Sequence, residues 1–378
     1  MRVLHLIDSL RPEAGGPSYA VQKMAESVAL RGHEVHVLAM RRRGETIEAN
    51  DPDGVRLSTY AAQYAGPAPI SYSWWRESLR EAERADLVHA HALYLPQSLA
   101  AYLRRSSTPY VVSPHGAFDK YHYEQRAVKK RMYEALIENR VIDGASGVHF
   151  MSEHERDDAL RVRHFRNWSI IPPGVETATD EVSADKPRKN LVLFLGRLAT
   201  KKQPWLVVDA LAWTKQAGLV AQAIIAGPEE DIRHSLLQKR INDRGLKDDV
   251  KLIGLVRGEA KQQLLRRASV FVLPSLDESF GIAVVEAMAY GAVPIVTPEV
   301  GAASILSGTQ SGVVTEGSAE ALGKALLNLL ERPGMLSDMR RNGVAAARQL
   351  TWAKAGSDLE AWYSGIVSRD IIQPEGER

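Results

Sequence analysis

"VFVLPSLDESFGIAVVEAMAYGAVPIVT", residues Val270 to Thr297, reads as strand, loop, helix and strand. The bounding apolar runs, VFVLPS (270–275) and VPIVT (293–297), are short, β-rich and continuous rather than alternating. Such runs mark strands covered on both faces, as in a parallel sheet. IAVVEAMAY between them is helical in pattern and ends at Gly291. A parallel pair needs such a crossover, so the stretch is one βαβ unit. Two acids lie inside it, eight positions apart: Glu278 on the loop and Glu286 on the second turn of the helix. Glu286 sits among Val284, Val285, Ala287, Met288 and Ala289. A buried carboxylate without donors is strongly unfavourable, so it needs partners. Protein groups or ligand hydroxyls can supply them, and a ribose diol offers two donors on one edge. Between the acids, the backbone N–H groups of Phe280, Gly281 and Ile282 open a helix and suit an anion.

The same pattern extends outward. Further continuous runs are VLHLI (3–7), EVHVLA (34–39), LVHAH (87–91), YVVSP (110–114), GVHFMS (147–152), WSIIPP (168–173), LVLFLG (191–196), QAIIAG (222–227) and VKLIG (250–254). Helical stretches separate most of them. The pattern breaks at GVETATDEVSADKPRKN (174–190), which is polar and reads as a linker. The fold class expected is α/β, two doubly wound Rossmann-like domains facing across a cleft, at 1–173 and 191–351. From about Ser318 the chain reads as helical almost to its end. Ligands of such sheets bind beyond the carboxyl ends of strands, so the loops there carry most weight.

The 378 residues carry a net charge of +2 and no cysteine. The charge calls for no nucleic-acid partner. Without cysteine there is no disulfide, thiolate metal site or thiol nucleophile. The first residues lack a sustained apolar core and a cleavage site, and no run is long enough to span a membrane. The expectation is a cytoplasmic protein, with peripheral contact at the inner membrane face left open.

Four loops stand out. DSLRPEAGGPSYAVQKMAESVALRG (8–32) follows the first strand; Gly15 and Gly16 precede a helix whose start suits an anion, or simply form a tight turn. Its spacing is not the dinucleotide fingerprint. In SPHGAFDKYH (113–122), His115 stands at a strand end, where it serves structure or meets a substrate hydroxyl. In GRLATKKQPW (196–205), Arg197 and Lys202 suit a diphosphate, against the alternative of a solvated basic loop. The fourth loop carries Glu278.

Other features read more plainly. Asp51 and Asp53 suit a turn. His89 and His91 share a strand face without acid or cysteine nearby, so no metal site is read. Residues 120–140 hold six Lys/Arg and three acids, a local charge of +3. They suit a helix covering the sheet, or one lying on an anionic membrane.

Together the four loops resemble retaining glycosyltransferases of family 4, which have the GT-B fold. "PSLDESFGIAVVEAMAYGAVPIV" is similar to that family's E-x7-E signature, "GGPSYAVQKMAESVALRGHEVHV" to its N-terminal loop and helix, "GRLATKK" to its phosphate loop and "SPHG" to its acceptor-side histidine. The resemblance covers nearly the whole chain. It implies a donor that is a GDP- or UDP-linked sugar, a glycan or lipid-linked acceptor, and no metal or other cofactor. Gly16 would let the donor diphosphate approach, and Arg197 and Lys202 would bind it. Glu278 would hold hydroxyls of the transferred sugar and Glu286 the ribose. The amides of Phe280, Gly281 and Ile282 would meet sugar and phosphate, and His115 would touch the sugar near its anomeric carbon. The final helix, about 352–378, would return to the first domain. Gln203 departs from the pattern, standing where glycine commonly follows the lysine, and "VGAASIL" (300–306) lacks a common acid. The other functions weighed are a phosphorylase or synthase acting on a small soluble sugar, and a non-catalytic two-lobed binding protein.

Overall fold

The computed structural model describes residues 1–11, 15–41, 54–63, 70–120, 132–176 and 190–372. Asp51, Asp53, residues 121–131 of the basic segment and most of the linker lie outside that set. The chain divides into two compact units, Met1–Gly174 with Trp352–Arg378, and Val175–Thr351.

The first unit is built on a parallel sheet of β1 (Arg2–Ser9), β2 (Glu34–Arg41), β3 (Val55–Ala61), β4 (Leu87–His91), β5 (Tyr110–Ser113), β6 (Gly147–Phe150) and β7 (Trp168–Ile170). Their spatial order is β3-β2-β1-β4-β5-β6-β7. Helices α1 (Gly16–Ala29), α2 (Tyr72–Ala82), α3 (Pro96–Leu103), α4 (Asn139–Asp143) and α5 (Glu153–Val162) connect them, with a π-helical turn at Glu134–Glu138 leading into α4. Residues of β4, β5 and β6 are buried throughout, as their continuous apolar pattern requires. Trp74 of α2 is fully buried in the core against this sheet.

The second unit repeats the plan with β8 (Leu191–Leu195), β9 (Gln222–Ala226), β10 (Val250–Ile253), β11 (Val270–Leu273), β12 (Val293–Val296) and β13 (Val313–Val314). Their order is β10-β9-β8-β11-β12-β13, again all parallel. The helices are α6 (Pro204–Gln216), α7 (His234–Asp243), α8 (Gly258–Arg267), α9 (Ile282–Ala289), α10 (Ala303–Thr309), α11 (Ala319–Glu331) and α12 (Pro333–Ala347). In both sheets the order reverses beside the first strand, between β1 and β4 and between β8 and β11. Loops leaving those strands on the carboxyl side diverge there and leave room for a ligand.

Each continuous apolar run forms a strand. The sequence reading missed β3 and β13, and both are edge strands. β3 carries Arg56, Ser58 and Thr59 and is mostly half-buried, so it lacks the pattern of a strand covered on both faces. β13 is only two residues long.

Helix α13 (Trp352–Ile372) belongs to the first unit and packs on α1. The contact is close: a Cβ on Gly356 would lie 2.7 Å from the Ser27 carbonyl oxygen. Tyr363 of this helix is fully buried, and its hydroxyl lies 2.6 Å from Nδ1 of His89. Tyr363→Phe keeps the packing and leaves that ring nitrogen without its partner. It is expected to cost about 1–3 kcal/mol in urea unfolding.

Candidate functional site

In the second unit, β8 and β11 are neighbours, so the loops that follow them are neighbours too. The first contains Arg197 and a single 3-10 turn at Thr200–Lys202. The backbone N–H of Leu276, on the second loop, donates to the Lys201 carbonyl at 2.8 Å. This tie holds the cationic loop against the acidic one. Lys202 forms an ion pair with Glu278, and Lys201 lies 3.7 Å from Asp277. Burial and the neighbouring cations Lys201 and Arg197 push the Lys202 ammonium down to about 7. Arg197 is partly exposed, and its guanidinium donates to Glu230 at 2.6 Å.

Glu278 is fixed through its backbone. Its N–H donates to the Glu299 carbonyl at 2.9 Å, and its carbonyl accepts from Gly301 N–H at 2.8 Å. The Phe280 carbonyl likewise accepts from Ala302 N–H at 2.7 Å, and the Phe280 ring is buried. Gly281 caps α9 with φ of 90° and ψ of 58°, a left-handed conformation open to glycine at little steric cost. No side chain caps this helix. The first N–H groups of an uncapped helix are suited to an anion, and the dipole adds to that.

Glu286 is 7% exposed, and its Oε1 accepts from Nζ of Lys261 on α8 at 2.6 Å. Of the two sources of donors open to the sequence reading, the protein supplies one. Burial still pushes the carboxyl up, with Lys261 opposing the shift. Lys261 was not legible in the sequence, because 25 residues separate it from Glu286 and only the packing of α8 brings them together.

Gln203 adopts φ of 49° and ψ of 49° as it starts α6. This accounts for the glycine commonly found at the position; nothing in the structure explains the glutamine that replaces it here. A left-handed residue with a Cβ is strained by roughly 1–2 kcal/mol, which glycine avoids.

In the first unit, Gly15 has φ of 93° and precedes α1, and Ser18 Oγ donates to the Ser9 carbonyl at 2.8 Å, tying the helix start to β1. Among the described residues nothing lies within 4 Å of where a Cβ on Gly16 would stand. Gly16→Ala is therefore expected to leave the melting temperature unchanged. If a diphosphate approaches there, donor affinity measured by calorimetry falls at least about tenfold, since one methyl displaces a close backbone contact.

His115 also has a left-handed backbone, φ 51°, strained for a residue with a side chain. Its loop is braced by Glu155, whose carboxylate accepts from Gly116 N–H and Met151 N–H, each at 2.8 Å. Ser152 caps α5, its hydroxyl accepting from Glu155 N–H at 3.1 Å, which fixes the start of the helix that carries Glu155. His115 Nε2 lies 3.0 Å from Nδ1 of His91. The histidines of β4 also have a neighbour the sequence reading did not pair with them. His5 stands opposite His89 in the parallel register of β1 and β4.

The family described as "Glycosyl transferases group 1" matches residues 175–346, and the "Glycosyl transferase 4-like domain" matches residues 15–174. A GDP-mannose:cellobiosyl-diphosphopolyprenol alpha-mannosyltransferase of Xanthomonas oryzae is 30% identical, covering 79% of this chain and 78% of its own. A GDP-mannose-dependent alpha-(1-6)-phosphatidylinositol dimannoside mannosyltransferase of Mycobacterium tuberculosis is 23% identical over 97% of both chains. Among solved structures, Anabaena HepE in complex with UDP and glucose superposes with a TM-score of 0.77 at 18% identity, covering 97% of this chain and 100% of its own. That likeness establishes the GT-B fold.

Proposed function

The chain belongs to the group 1 glycosyltransferases, and from that membership we propose that it is a retaining, metal-independent enzyme with GDP-mannose as donor and a lipid-linked glycan as acceptor. The donor and acceptor follow the two mannosyltransferase relatives. The observation that carries the site assignment is the pairing of the Arg197–Lys202 loop with the Glu278 loop at the uncapped start of α9. Cations, an acid able to accept from hydroxyls, and free amides are what a sugar diphosphate requires.

In this reading Arg197, Lys202 and the amides of Phe280, Gly281 and Ile282 stabilise the diphosphate as the anomeric bond breaks. Glu278 leaves Lys202 for sugar hydroxyls, and Lys202 turns to the diphosphate. Glu286 holds the ribose, with Lys261 keeping it ionised. Gly15 and Gly16 admit the diphosphate to the start of α1, and His115 contacts the sugar. The acceptor hydroxyl attacks from the face that the leaving group departs, and the departing phosphate takes its proton. Glu278 is not a covalent nucleophile here, and the two-carboxylate logic of glycosidases does not apply.

No helix among the described residues is long and apolar enough to cross a membrane. Peripheral contact with an anionic leaflet is part of the proposal, because Met132 and Leu136, within the basic segment, are 61% and 63% exposed.

The test is turnover with GDP-mannose and with UDP-glucose on a polyprenyl-diphosphate-linked disaccharide, with and without EDTA, followed by NMR of the product anomer. Transfer from GDP-mannose with an α product and no loss in EDTA is expected. Preference for the UDP-sugar, an inverted anomer or abolition by chelator each overturns the corresponding part.

A further inference from the structure

Five histidines, His5, His89, His91, His115 and His149, meet at the carboxyl side of the first sheet. Burial lowers the basicity of all five, so each ring is a neutral imidazole with one N–H and one lone pair. They divide into two hydrogen-bonded chains with different properties.

The first chain has a fixed direction. His149 Nε2 lies 2.8 Å from the Ile171 carbonyl, which only accepts, so the proton of His149 is on Nε2. Its Nδ1 must then accept from Ser113 Oγ, 2.9 Å away. Ser113 in turn accepts from His89 Nε2 at 2.7 Å, and His89 Nδ1 accepts from the Tyr363 hydroxyl. Every proton is placed by the backbone carbonyl at one end.

The second chain runs His5 Nδ1 to His91 Nε2 at 2.9 Å, then His91 Nδ1 to His115 Nε2 at 3.0 Å. Its two end atoms, His5 Nε2 and His115 Nδ1, are buried and have no hydrogen-bond partner among the described residues. Three N–H groups and three lone pairs serve two hydrogen bonds, so one end holds an N–H and the other a lone pair. Only two arrangements keep both bonds: all three rings protonated on Nε2, or all three on Nδ1. Among the described residues no carbonyl chooses between them. In the first, His115 Nδ1 is an acceptor; in the second it is a donor.

We infer that His91 and His5 are positioning residues that act as a two-state imidazole relay, setting whether His115 Nδ1 accepts from or donates to a ligand hydroxyl. A sugar hydroxyl fits both states, since it donates and accepts. The ligand class rests on the proposed function; the relay itself does not. A metal among His5, His89 and His91, whose ligand atoms lie within 4.8 Å of one another, fits less well. Both nitrogens of His89 and both of His91 are already hydrogen-bonded, and a metal would need one lone pair from each.

The test is the tautomer of each ring in 15N-histidine-labelled protein, read from long-range 1H–15N correlations without any ligand. His89 and His149 are expected as Nε2–H, and His5, His91 and His115 as one shared tautomer. His5→Leu and His5→Met then differ at the end of the chain by one acceptor atom. Beside Leu, an N–H on His91 Nε2 would be buried without an acceptor, so His115 is expected as Nδ1–H. Beside the Met thioether, His91 donates from Nε2 and His115 is expected as Nε2–H. The same His115 tautomer in both variants overturns the relay. So do unlike tautomers among the three rings, an imidazolium at His91, or one tightly bound zinc per chain. The unmodified protein gives its reading even where a variant fails to fold. Failure of every nucleotide sugar to support transfer would sink the proposed function while leaving the tautomer result standing.

Discussion

Arg197→Ala combined with Lys202→Ala is expected to lower turnover by about a thousandfold or more while the protein still folds. Negative charge builds on the leaving diphosphate in the transition state, and these two side chains stand on the loop that is tied to the acid loop preceding α9. A thousandfold corresponds to about 4 kcal/mol of transition-state stabilisation, reasonable for two charged donors in a partly dry site. The fold should survive, because among the described residues Arg197 pairs with the exposed Glu230, and Glu278 keeps 23% side-chain exposure through which water can reach it. Lys202 supplies a second readout. Burial pushes its ammonium down to about 7. A bound diphosphate favours the charged form. Calorimetry of nucleoside diphosphate binding at pH 8, in buffers of different ionisation heat, should therefore show proton uptake that Lys202→Ala abolishes. Turnover within tenfold of normal in the double variant would remove both residues from the diphosphate site.

Glu286→Ala should raise the dissociation constant for the nucleotide by roughly ten- to a hundredfold, a change of about 1.4–2.8 kcal/mol. Two hydroxyl donors would then lose a charged acceptor. Lys261, with 30% side-chain exposure, can swing into water, so unfolding should show little loss. Lys261→Ala is the informative partner. It leaves Glu286 buried without its cation, and burial then raises the carboxyl further above its ordinary value. The folded state would bind more protons than the unfolded state from the unfolded pKa, about 4.3, upward. The unfolded state is common to both proteins, so stability of Lys261→Ala relative to the unmodified protein should decline as pH rises through the folded-state range of Glu286, which lies above the ordinary carboxylate value in both. A constant difference from pH 4 to 8 would show that Lys261 does not hold the charge on Glu286. Unchanged nucleotide affinity in Glu286→Ala would remove Glu286 from the ribose site.

Much of the protein was legible because its strands are covered on both faces. Burial leaves an apolar signature independent of neighbours, so β1, β4 and the paired strands around α9 could be read directly. β3 and β13 could not, since β3 is mostly half-buried and carries polar residues and β13 is only two residues long. Among the site residues, Glu278 was recognisable by spacing and Gly281 by its place at a helix start. Gln203 was recognisable only as a departure, and its left-handed backbone shows why glycine is common at that position.

The sequence by itself determined the class of fold, the family and the loops that hold the candidate site. These are local properties: hydrophobic period, helix boundaries and short motifs read along the chain. The tertiary structure decided which side chains share an environment. Lys261 reaches Glu286, Glu155 braces the His115 loop, and His5 joins His91 because β1 and β4 are neighbours although 86 residues separate the two histidines. Hydrogen bonds across such distances are set by strand order and helix packing, and no local pattern of residues encodes them.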